Sequence, residues 1–179
     1  LSIGKERDLY LKLFNMPVKL KDFTKIFVGL QTSADTVFLF KTFEFLGPNT
    51  IVVTSKSLGT GIELEKDLLK PVVRSGNIGR YWAKPMAYVL FPYKNENGQF
   101  KLIDEDEMKE KYSKTWSYLQ KNKKLLINRE HGKFQNSGWY QLYPKNLDLW
   151  EQPKIMLPYM ISRLSAYYDE DDYYFVNVT

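Results

Sequence analysis

Short apolar runs bounded by turn residues predict β-strands along the first half of the chain. These β-branched and aromatic runs lie at 26–28, 37–40, 51–53 and 88–91. The tetrad Asn95-Glu96-Asn97-Gly98, which separates two further strand-like runs, predicts a tight hairpin turn. Before these strands, apolar residues on one side of 6–14 predict a short helix that ends at Met16-Pro17.

The apolar spacing becomes helical after residue 104. Asp104, with Glu107 three residues later, predicts a capping box at a helix start. An apolar face follows through Met108, Tyr112, Trp116, Leu119 and Leu126, while Lys114, Lys121 and Lys124 lie mostly off it. Strand-like runs return at 139–142, 154–157 and 173–178. We therefore expect an α+β fold: a single domain of short, mostly antiparallel strands with a central basic amphipathic helix, or a helical pair broken near Ser113.

The composition of the 179-residue chain excludes several classes of protein and of site. Apolar residues make up 44% and aromatic residues 16%, which is too rich for a disordered segment. With no cysteine and one histidine, His131, the chain can form neither a disulfide nor a thiolate or histidine-rich metal site. No apolar run is long enough to span a membrane, and the first residues lack both an initiating methionine and a signal-peptide pattern. We expect a piece of a longer, cytoplasmic chain.

The positive charge of the chain is concentrated in its central part. The formal net charge is +5, but residues 70–163 hold 17 basic and nine acidic side chains, a local excess of eight. Residues 111–133 hold seven basic side chains and one acid, Glu130. Clustered cations with interleaved aromatic residues are typical of nucleic-acid binding. The alternative is a solvated helix face beside ordinary core aromatics.

Most familiar catalytic motifs are missing from the sequence. The glycine pairs at 59–61 and 76–79 complete neither a dinucleotide fingerprint nor a P-loop. His131 lies in a basic run, where we expect a solvated loop residue rather than a member of a catalytic triad. The acidic run from Asp169 to Asp172 lacks the spacing of a calcium loop, so we expect a solvated turn. A small metal-dependent nuclease that uses this run is a competing interpretation.

Three segments, in order, carry a resemblance to a known family. The first is 29–38, with Gln31-Thr32-Ser33 between two strand-like runs; the second is 69–81, with Arg74-Ser75-Gly76-Asn77, followed by 88–92. The third extends from 116–119 through Arg129 to Trp139-Tyr140 and 153–155. Together they resemble the TaqI-like C-terminal specificity (target-recognition) domain of adenine-N6 DNA methyltransferases, a family that includes single-chain type IIG restriction–modification enzymes. The resemblance covers most of the chain.

The sequence departs from the family pattern at two loops. Ser33 stands where the family usually has glycine, Asp35 stands where it has asparagine, and Gly76 is followed directly by Asn77-Ile78. The resemblance implies that S-adenosylmethionine and the catalytic Asn-Pro-Pro-Tyr-type motif belong to an N-terminal catalytic domain of the same parent chain. It implies no cofactor and no catalysis for the fragment. Residues 1–22 are then the connection to that domain, and residues 23–179 form the recognition domain.

The resemblance, with the chemistry of each side chain, suggests a set of contacts to double-stranded DNA. Lysines suit phosphates: Lys70, Lys121, Lys123, Lys124, Lys133 and Lys145. Arginines can grip guanine or phosphate with two donors: Arg74, Arg80 and Arg129. Polar turn residues can read adenine or position the backbone: Gln31, Thr32, Ser33 and Asn77. Two aromatic residues can pack beside the DNA: Trp139 and Tyr140.

Structural roles remain open for several of these residues. Lys70, before a proline, can shape a turn; Arg80 and Tyr81 can close an internal corner; and Trp139 and Tyr140 can belong to the core. Two other binding functions compete with duplex recognition. One is an interaction module for an acidic protein, and the other is a binder of single-stranded nucleic acid, because aromatic residues with lysines also suit base stacking.

Overall fold

The computed structural model describes residues 5–135, 138–143, 145–158 and 164–176. The fold is α+β. The helices of this part of the chain are α1 (Lys5–Phe14), α2 (Asp35–Phe38), α3 (Glu105–Lys111), α4 (Ser113–Lys121) and α5 (Lys123–Ile127). Its strands are β1 (Leu39–Phe40), β2 (Phe43–Phe45), β3 (Thr50–Ser55), β4 (Gly59–Glu65), β5 (Leu69–Val73), β6 (Ile78–Gly79), β7 (Trp82–Ala83), β8 (Ala87–Leu90), β9 (Tyr93–Glu96), β10 (Gln99–Leu102), β11 (Lys154–Met156), β12 (Tyr167–Asp169) and β13 (Tyr174–Phe175).

The largest sheet is four-stranded, with the order β1-β8-β5-β13. Its pairings are antiparallel except for β13, which lies parallel to β5. Beyond β13, Leu30 forms an isolated parallel bridge with Val176, and the amide of Leu30 donates to the carbonyl of Phe175 at 2.7 Å. Val72, Val89 and other apolar side chains of this sheet are fully buried. The sheet therefore forms the centre of the core.

A second sheet, β2-β3-β4, packs against helix α4. Burial alternates along β3, so Ile51, Val53 and Ser55 face inward. The hydroxyl of Tyr118 on α4 donates to the carbonyl of Val37 at 2.7 Å and lies 2.7 Å from the Ser55 hydroxyl. This buried hydroxyl fixes where the helix lies across the sheet.

The predicted helical region is confirmed as three consecutive helices. Asp104 caps α3, because its Oδ1 accepts from the amide of Glu107 at 2.9 Å. The backbone leaves helical geometry at Tyr112 and again at Asn122, so the break near Ser113 is confirmed and a second one is added. Asn122, at the second break, is buried, and its side-chain Nδ2 donates a hydrogen bond to the carbonyl of Tyr118 at 3.0 Å.

Other elements that the sequence predicted are also present. The strands at 51–53, 88–91 and 154–157 are confirmed as β3, β8 and β11. The hairpin is confirmed as β9 and β10, with Asn97 and Gly98 at positive φ in its turn. The helix at 6–14 is confirmed as α1, but its apolar residues Leu9, Leu13 and Phe14 are all exposed. No helix of the described ranges is long and apolar enough to cross a membrane.

Three predicted strands are wrong or only partly right, for identifiable reasons. Residues 26–28 form no ladder, although Phe27 packs edge-on against Trp150. Residues 37–40 are divided between α2 and β1, because the amides of Val37 and Phe38 donate to the carbonyl of Ala34 and close a helical turn before the strand begins. Residues 139–142 are not a strand because side chains, rather than a neighbouring strand, pair with their backbone groups. The predicted strand at 173–178 is confirmed as β13 within its described part.

A buried ion pair joins the two strands of the β11–β12 hairpin. Lys154 and Asp169 are cross-strand partners, their Nζ and Oδ2 atoms lie 2.5 Å apart, and both side chains are almost fully buried. The Lys154 Nζ also donates to the carbonyl of Trp150 at 2.6 Å, and Asp169 accepts from the amide of Tyr173 at 3.1 Å. The expectation of a solvated acidic turn is therefore wrong for Asp169. It is correct for Glu170, Asp171 and Asp172, which are exposed.

We expect Lys154→Met to lower the free energy of unfolding by about 3–5 kcal/mol, because it leaves a buried carboxylate without its cation. The double variant with Asp169→Asn should recover most of this loss, since the amide oxygen still accepts from the Tyr173 amide. Lys101→Met is the matched control, because the exposed pair of Lys101 with Glu96 contributes less than about 1 kcal/mol. Urea unfolding of the purified variants measures these differences, and equal losses for Lys154 and Lys101 would contradict the expectation.

Candidate nucleic-acid interface

Two of the loops with predicted DNA contacts leave the large sheet at the same edge. Strand β13 is parallel to β5, and Leu30 is parallel to Val176, so all three segments point the same way. The loop 31–33 and the loop 74–77 therefore emerge side by side, about two strand spacings or ~10 Å apart. Sequence reasoning placed both loops in turns but could not show that they meet.

In the first of these loops, the side chains of neighbouring residues have different environments. Gln31 and Ser33 are exposed, and Ser33 has a positive φ of 52°. Thr32 is buried, and its hydroxyl bonds to the Asp35 carboxylate. Gln31 and Ser33 are thus available to a ligand, whereas Thr32 shapes the turn.

A basic cluster lies directly beside this loop. The amide of Tyr143 donates to the carbonyl of Gln31 at 3.0 Å, which holds Tyr143 against the loop. The Nζ of Lys133 donates to the Tyr143 hydroxyl at 2.8 Å, and the Nζ of Lys145 lies 5.3 Å from its ring. The hydrogen bond from Lys133, aided by the charges of both lysines, lowers the pKa of Tyr143. Tyr143, which the sequence did not single out, therefore marks an electropositive surface.

The three lysines of the helical region are exposed near the junction of α4 and α5. Lys123 lies with its Nζ 5.0 Å from the ring of Trp139. Within the part of the chain that the structure describes, no ion pair joins Lys121, Lys123 or Lys124 to a carboxylate. Their charges are therefore available to an anionic partner.

The second loop leads into the small β6–β7 hairpin. Arg74 and Asn77 are half-buried, and the amide of Asn77 donates to the carbonyl of Arg74 at 2.8 Å. Arg80 and Tyr81 form the exposed tip, with the Arg80 guanidinium 5.0 Å from the Tyr81 ring. The alternative of an internal corner at Arg80 and Tyr81 is therefore wrong, since Tyr81 is 78% exposed.

Lys70 lies apart from this edge. It precedes Arg74 by four strand residues, which is about 13 Å along β5. Its Nζ forms an ion pair with Glu151 at 2.8 Å, and both side chains are about one-quarter exposed. Lys70 therefore has a structural role through this ion pair. The alternative that Lys70 shapes a turn before the proline is wrong, because both residues lie in β5.

Arg129 lies in the interior, where it holds three segments together. It is 5% exposed, and its Nε donates to the carbonyl of Leu126 at 3.0 Å. Its Nη1 donates to Thr32 at 2.7 Å, and its Nη2 donates to Trp139 and Gln141, each at 2.9 Å; all three acceptors are carbonyls. The predicted contact of Arg129 with DNA is replaced by this internal role, because the side chain is buried and four of its five N–H donors bond to carbonyls.

The electrostatic state of Arg129 follows from its burial. Burial lowers the pKa of Arg129 to about 10, and the nearby Tyr93 and Glu130 oppose this decrease. The guanidinium stays charged at neutral pH, and four carbonyl oxygens solvate it in place of water. The ring of Phe134, 4.2 Å from the guanidinium carbon, covers one side.

Trp139 and Tyr140 also have internal roles, as the core alternative expected. Trp139 is buried, and its Nε1 donates to the Glu105 carboxylate at 3.2 Å. Tyr140 is buried, and its hydroxyl donates to the carbonyl of Ile103 at 2.5 Å. Burial, with smaller contributions from nearby carboxylates, raises the pKa of Tyr140 to about 12. Both residues attach the 138–142 segment to the start of α3.

The acidic run from Asp169 to Asp172 is also a candidate metal-binding site in the sequence. Among the residues that the structure describes, no group of three or more potential ligands of the histidine and carboxylate type lies close enough to hold a metal ion. Asp169, the first residue of the acidic run, is already paired with Lys154.

Comparisons with known proteins relate the chain to restriction–modification enzymes. No family model matches the chain. It is 27% identical over 154 residues to the type II methyltransferase M.BanIII of Aneurinibacillus aneurinilyticus, a match that covers 85% of this chain and 24% of that protein. It is 32% identical over 98 residues to the type II restriction enzyme and methyltransferase RM.Eco57I of Escherichia coli, which covers 51% of this chain and 10% of that protein. The chain is thus related to a part of type II restriction–modification methyltransferases and spans a quarter or less of their length.

We expect Arg129→Lys to lower the free energy of unfolding by about 2–4 kcal/mol. A lysine ammonium has three donors, so at least one of the four carbonyls loses its partner inside the protein. Lys124→Met, a cation removed from the exposed face of the neighbouring helix, should change stability by less than about 0.5 kcal/mol. Urea unfolding provides both values. A loss below about 1 kcal/mol for Arg129→Lys would show that the guanidinium does not anchor these segments.

Proposed function

We propose that this chain is the DNA target-recognition domain of a restriction–modification adenine-N6 DNA methyltransferase of the TaqI-like or type IIG kind. Residues 23–179 hold and read double-stranded DNA, and residues 1–22 connect them to the catalytic domain of the same parent chain. The proposal includes a cytoplasmic location, where the DNA of a bacterial host lies.

The observation that carries this proposal is the meeting of two candidate reading loops beside unpaired cations. Gln31 and Ser33 project from one loop, and Arg74 and Asn77 belong to the next loop along the same sheet edge. Lys133 and Lys145 lie beside the first loop through Tyr143, and flexible cations of this kind suit the phosphates of a duplex. A surface of this kind suits a ligand that presents base edges between two rows of negative charge.

The relatives support a recognition domain that is separate from the catalytic domain. Both matched proteins are named as methyltransferases, and one is also named as a restriction enzyme. Enzymes of this class act on DNA, and the chain corresponds to only a part of each. This part can be a separate recognition domain, because a methyltransferase that extrudes its target base needs other residues to hold the surrounding duplex.

In this proposal, the methyl-donor cofactor is bound outside this chain. S-adenosylmethionine sites of α/β enzymes use a glycine-rich turn between a strand and a helix. Here Gly59 and Gly61 lie within β4, and Gly76 and Gly79 precede or belong to a β-hairpin. We therefore assign the cofactor and the methyl transfer to the proposed catalytic domain and derive no step through this chain.

In the proposed complex, the side chains divide into two roles. Lys121, Lys123, Lys124, Lys133 and Lys145 contact phosphates and fix the position of the domain on the duplex. Gln31, Ser33, Arg74, Asn77 and Arg80 contact base edges in the major groove, where each base pair presents a distinct pattern of donors and acceptors. Thr32, Arg129, Trp139 and Tyr140 support these loops from inside, and Lys70 stays paired with Glu151.

Single-stranded nucleic acid is the second candidate ligand. The observation that favours it is the exposure of Tyr81 and Trp82 beside Arg80, because bases of a single strand stack on such side chains. Competition between a labelled duplex and the unlabelled single strand of the same sequence separates the two functions. Displacement of the duplex by a lower concentration of the single strand would favour the second candidate.

We expect the triple variant Lys121→Glu, Lys123→Glu, Lys124→Glu to weaken binding to every duplex sequence alike. Each lysine that contacts a phosphate contributes about one unit to the slope of log affinity against log salt concentration, so the variant should have a flatter slope. Fluorescence anisotropy with duplex oligonucleotides over a series of salt concentrations measures both quantities.

The matched control is the triple variant Lys12→Glu, Lys21→Glu, Lys25→Glu. These lysines are also exposed, and the change in net charge is the same, but they belong to the N-terminal segment that precedes both loops. The control should retain most of the affinity and the slope. Unchanged affinity and slope in the helical variant, or equal effects in both variants, would refute the proposed interface.

A further inference from the structure

The β6–β7 hairpin presents two large aromatic side chains to solvent. Gly79 and Trp82 are the last paired residues of the hairpin, and Arg80 and Tyr81 form its two-residue loop. Tyr81 is 78% exposed and Trp82 is 52% exposed, which makes Trp82 the most exposed of the four tryptophans. Neighbouring exposed aromatic residues at a projecting tip are typical of binding sites rather than of a solvated turn.

The backbone holds the tip in a conformation that its side chains do not favour. Tyr81 has φ of +68°, in the left-handed region that usually contains glycine or asparagine. For a bulky residue this conformation costs about 1–2 kcal/mol. A glycine there would remove this strain and the exposed ring together.

Gly79 allows the indole of Trp82 to lie directly against the opposite strand. A Cβ added at Gly79 would lie 2.1 Å from the Trp82 Nε1 atom, which no structure tolerates without movement. A Cβ added at Gly76, three residues earlier, would meet nothing within 4 Å. Gly79 therefore positions Trp82, and Gly76 offers a matched comparison.

The hairpin is attached to the rest of the protein both at its base and at its tip. Ile78 is buried in a small core with Val73 and Met156, and the amide of Tyr81 donates to the carbonyl of Ala166 at 3.1 Å. The amide of Lys84 donates to the carbonyl of Asn77 at 3.0 Å and closes the hairpin. The tip is thus a fixed projection beside the loop 74–77.

The charges around the tip define the chemistry of its ligand. The Arg80 guanidinium lies 5.0 Å from the Tyr81 ring, and Arg74 and Lys84 are near the base of the hairpin. Within the described residues, no ion pair joins these three cations to a carboxylate. Exposed π faces among unpaired cations suit a partner that combines planar rings with negative charge, which describes a nucleotide.

We propose that the Arg80–Tyr81–Trp82 tip stacks on an unpaired base of a DNA duplex. In an intact duplex both faces of each base are covered by neighbours, so an aromatic side chain has no free face to contact. Extrusion of a target base for methylation leaves its former partner unpaired, and a fixed aromatic tip can cover that base and compensate for part of the lost stacking. The inference rests on the proposed function, because it requires duplex DNA beside the loop 74–77.

The experiment compares two probes with the whole 179-residue chain: a perfect duplex and the same duplex with one extra, unpaired adenine. We expect the chain to bind the bulged duplex about tenfold more tightly, since stacking of one base on an aromatic side chain is worth about 5- to 150-fold. Tyr81→Ala should remove this preference but keep the affinity for the perfect duplex, and Tyr81→Phe should keep both. Tyr10→Ala, which removes a tyrosine of 60% exposure from α1, is the control and should change neither.

A second measurement follows the fluorescence of the tip. The bulged duplex should quench the exposed tryptophan emission of the unmodified chain more strongly than the perfect duplex, and Trp82→Phe should abolish the difference. Gly79→Ala should displace the indole and reduce both the quenching and the preference for the bulge, whereas Gly76→Ala should leave them unchanged.

The possible outcomes separate the inference from the proposed function. Binding of both duplexes with equal affinity and equal quenching would overturn the stacking role and leave duplex recognition intact. A bulge preference that survives Tyr81→Ala and Gly79→Ala would also overturn it. Failure to bind any duplex would overturn both proposals. Tighter binding of the plain single strand than of the bulged duplex would assign the tip to single-stranded ligands instead.

Discussion

The buried guanidinium of Arg129 is the interaction on which the candidate interface depends. A cation in the protein interior is costly unless it is hydrogen-bonded, and Arg129 meets this condition with carbonyls of three segments, of which the loop 31–33 is distant in sequence. One is the end of α5, one is the loop 31–33, and one is the 138–142 segment. The requirement to solvate this charge therefore fixes irregular segments relative to each other, where a β-ladder would otherwise be needed. The basic helix region and the first loop lie on adjoining surfaces for this reason.

The second loop is supported by different elements. Strand β5 leads directly into it, and the small core of Val73, Ile78 and Met156 supports the hairpin that follows. That core includes the β11–β12 hairpin, which contains the buried pair of Lys154 and Asp169. Two internal charges of this kind, one solvated by carbonyls and one by a carboxylate, thus support the two loops of the same edge. The fold around the two loops is therefore held by buried groups rather than by the exposed side chains of the loops.

Regular elements with strong periodic patterns could be predicted from the sequence, whereas the irregular segments could not. The α3–α5 region and the β9–β10 hairpin follow from apolar spacing, the Asp104 cap and an Asn-Gly turn, all of which act within a few residues. The 139–142 segment has the composition of a strand, but its backbone groups bond to Arg129 and Tyr93 from distant parts of the chain. No local pattern reveals such partners.

The same distinction applies to the candidate site. Charge clustering correctly identified the exposed lysines at 121–124, because long basic side chains near a helix surface rarely become buried. It could not separate Arg129 from them, since the burial of Arg129 depends on four carbonyls that only the folded chain assembles. It also overlooked Tyr143 and Trp82, whose surroundings come from long-range packing or from a glycine on the opposite strand.

The acceptors of Arg129 are all main-chain carbonyls, and this has a consequence for how such a domain diversifies. Every residue type has the same carbonyl, so the anchor makes no demand on the side chains of Thr32, Trp139 or Gln141 as acceptors. Residues 31 and 33, on either side of one anchored carbonyl, can therefore change without disturbing the attachment of their loop. A scaffold anchored in this way can acquire a new ligand preference through point substitutions at its surface, while its fold and the position of its loops stay the same.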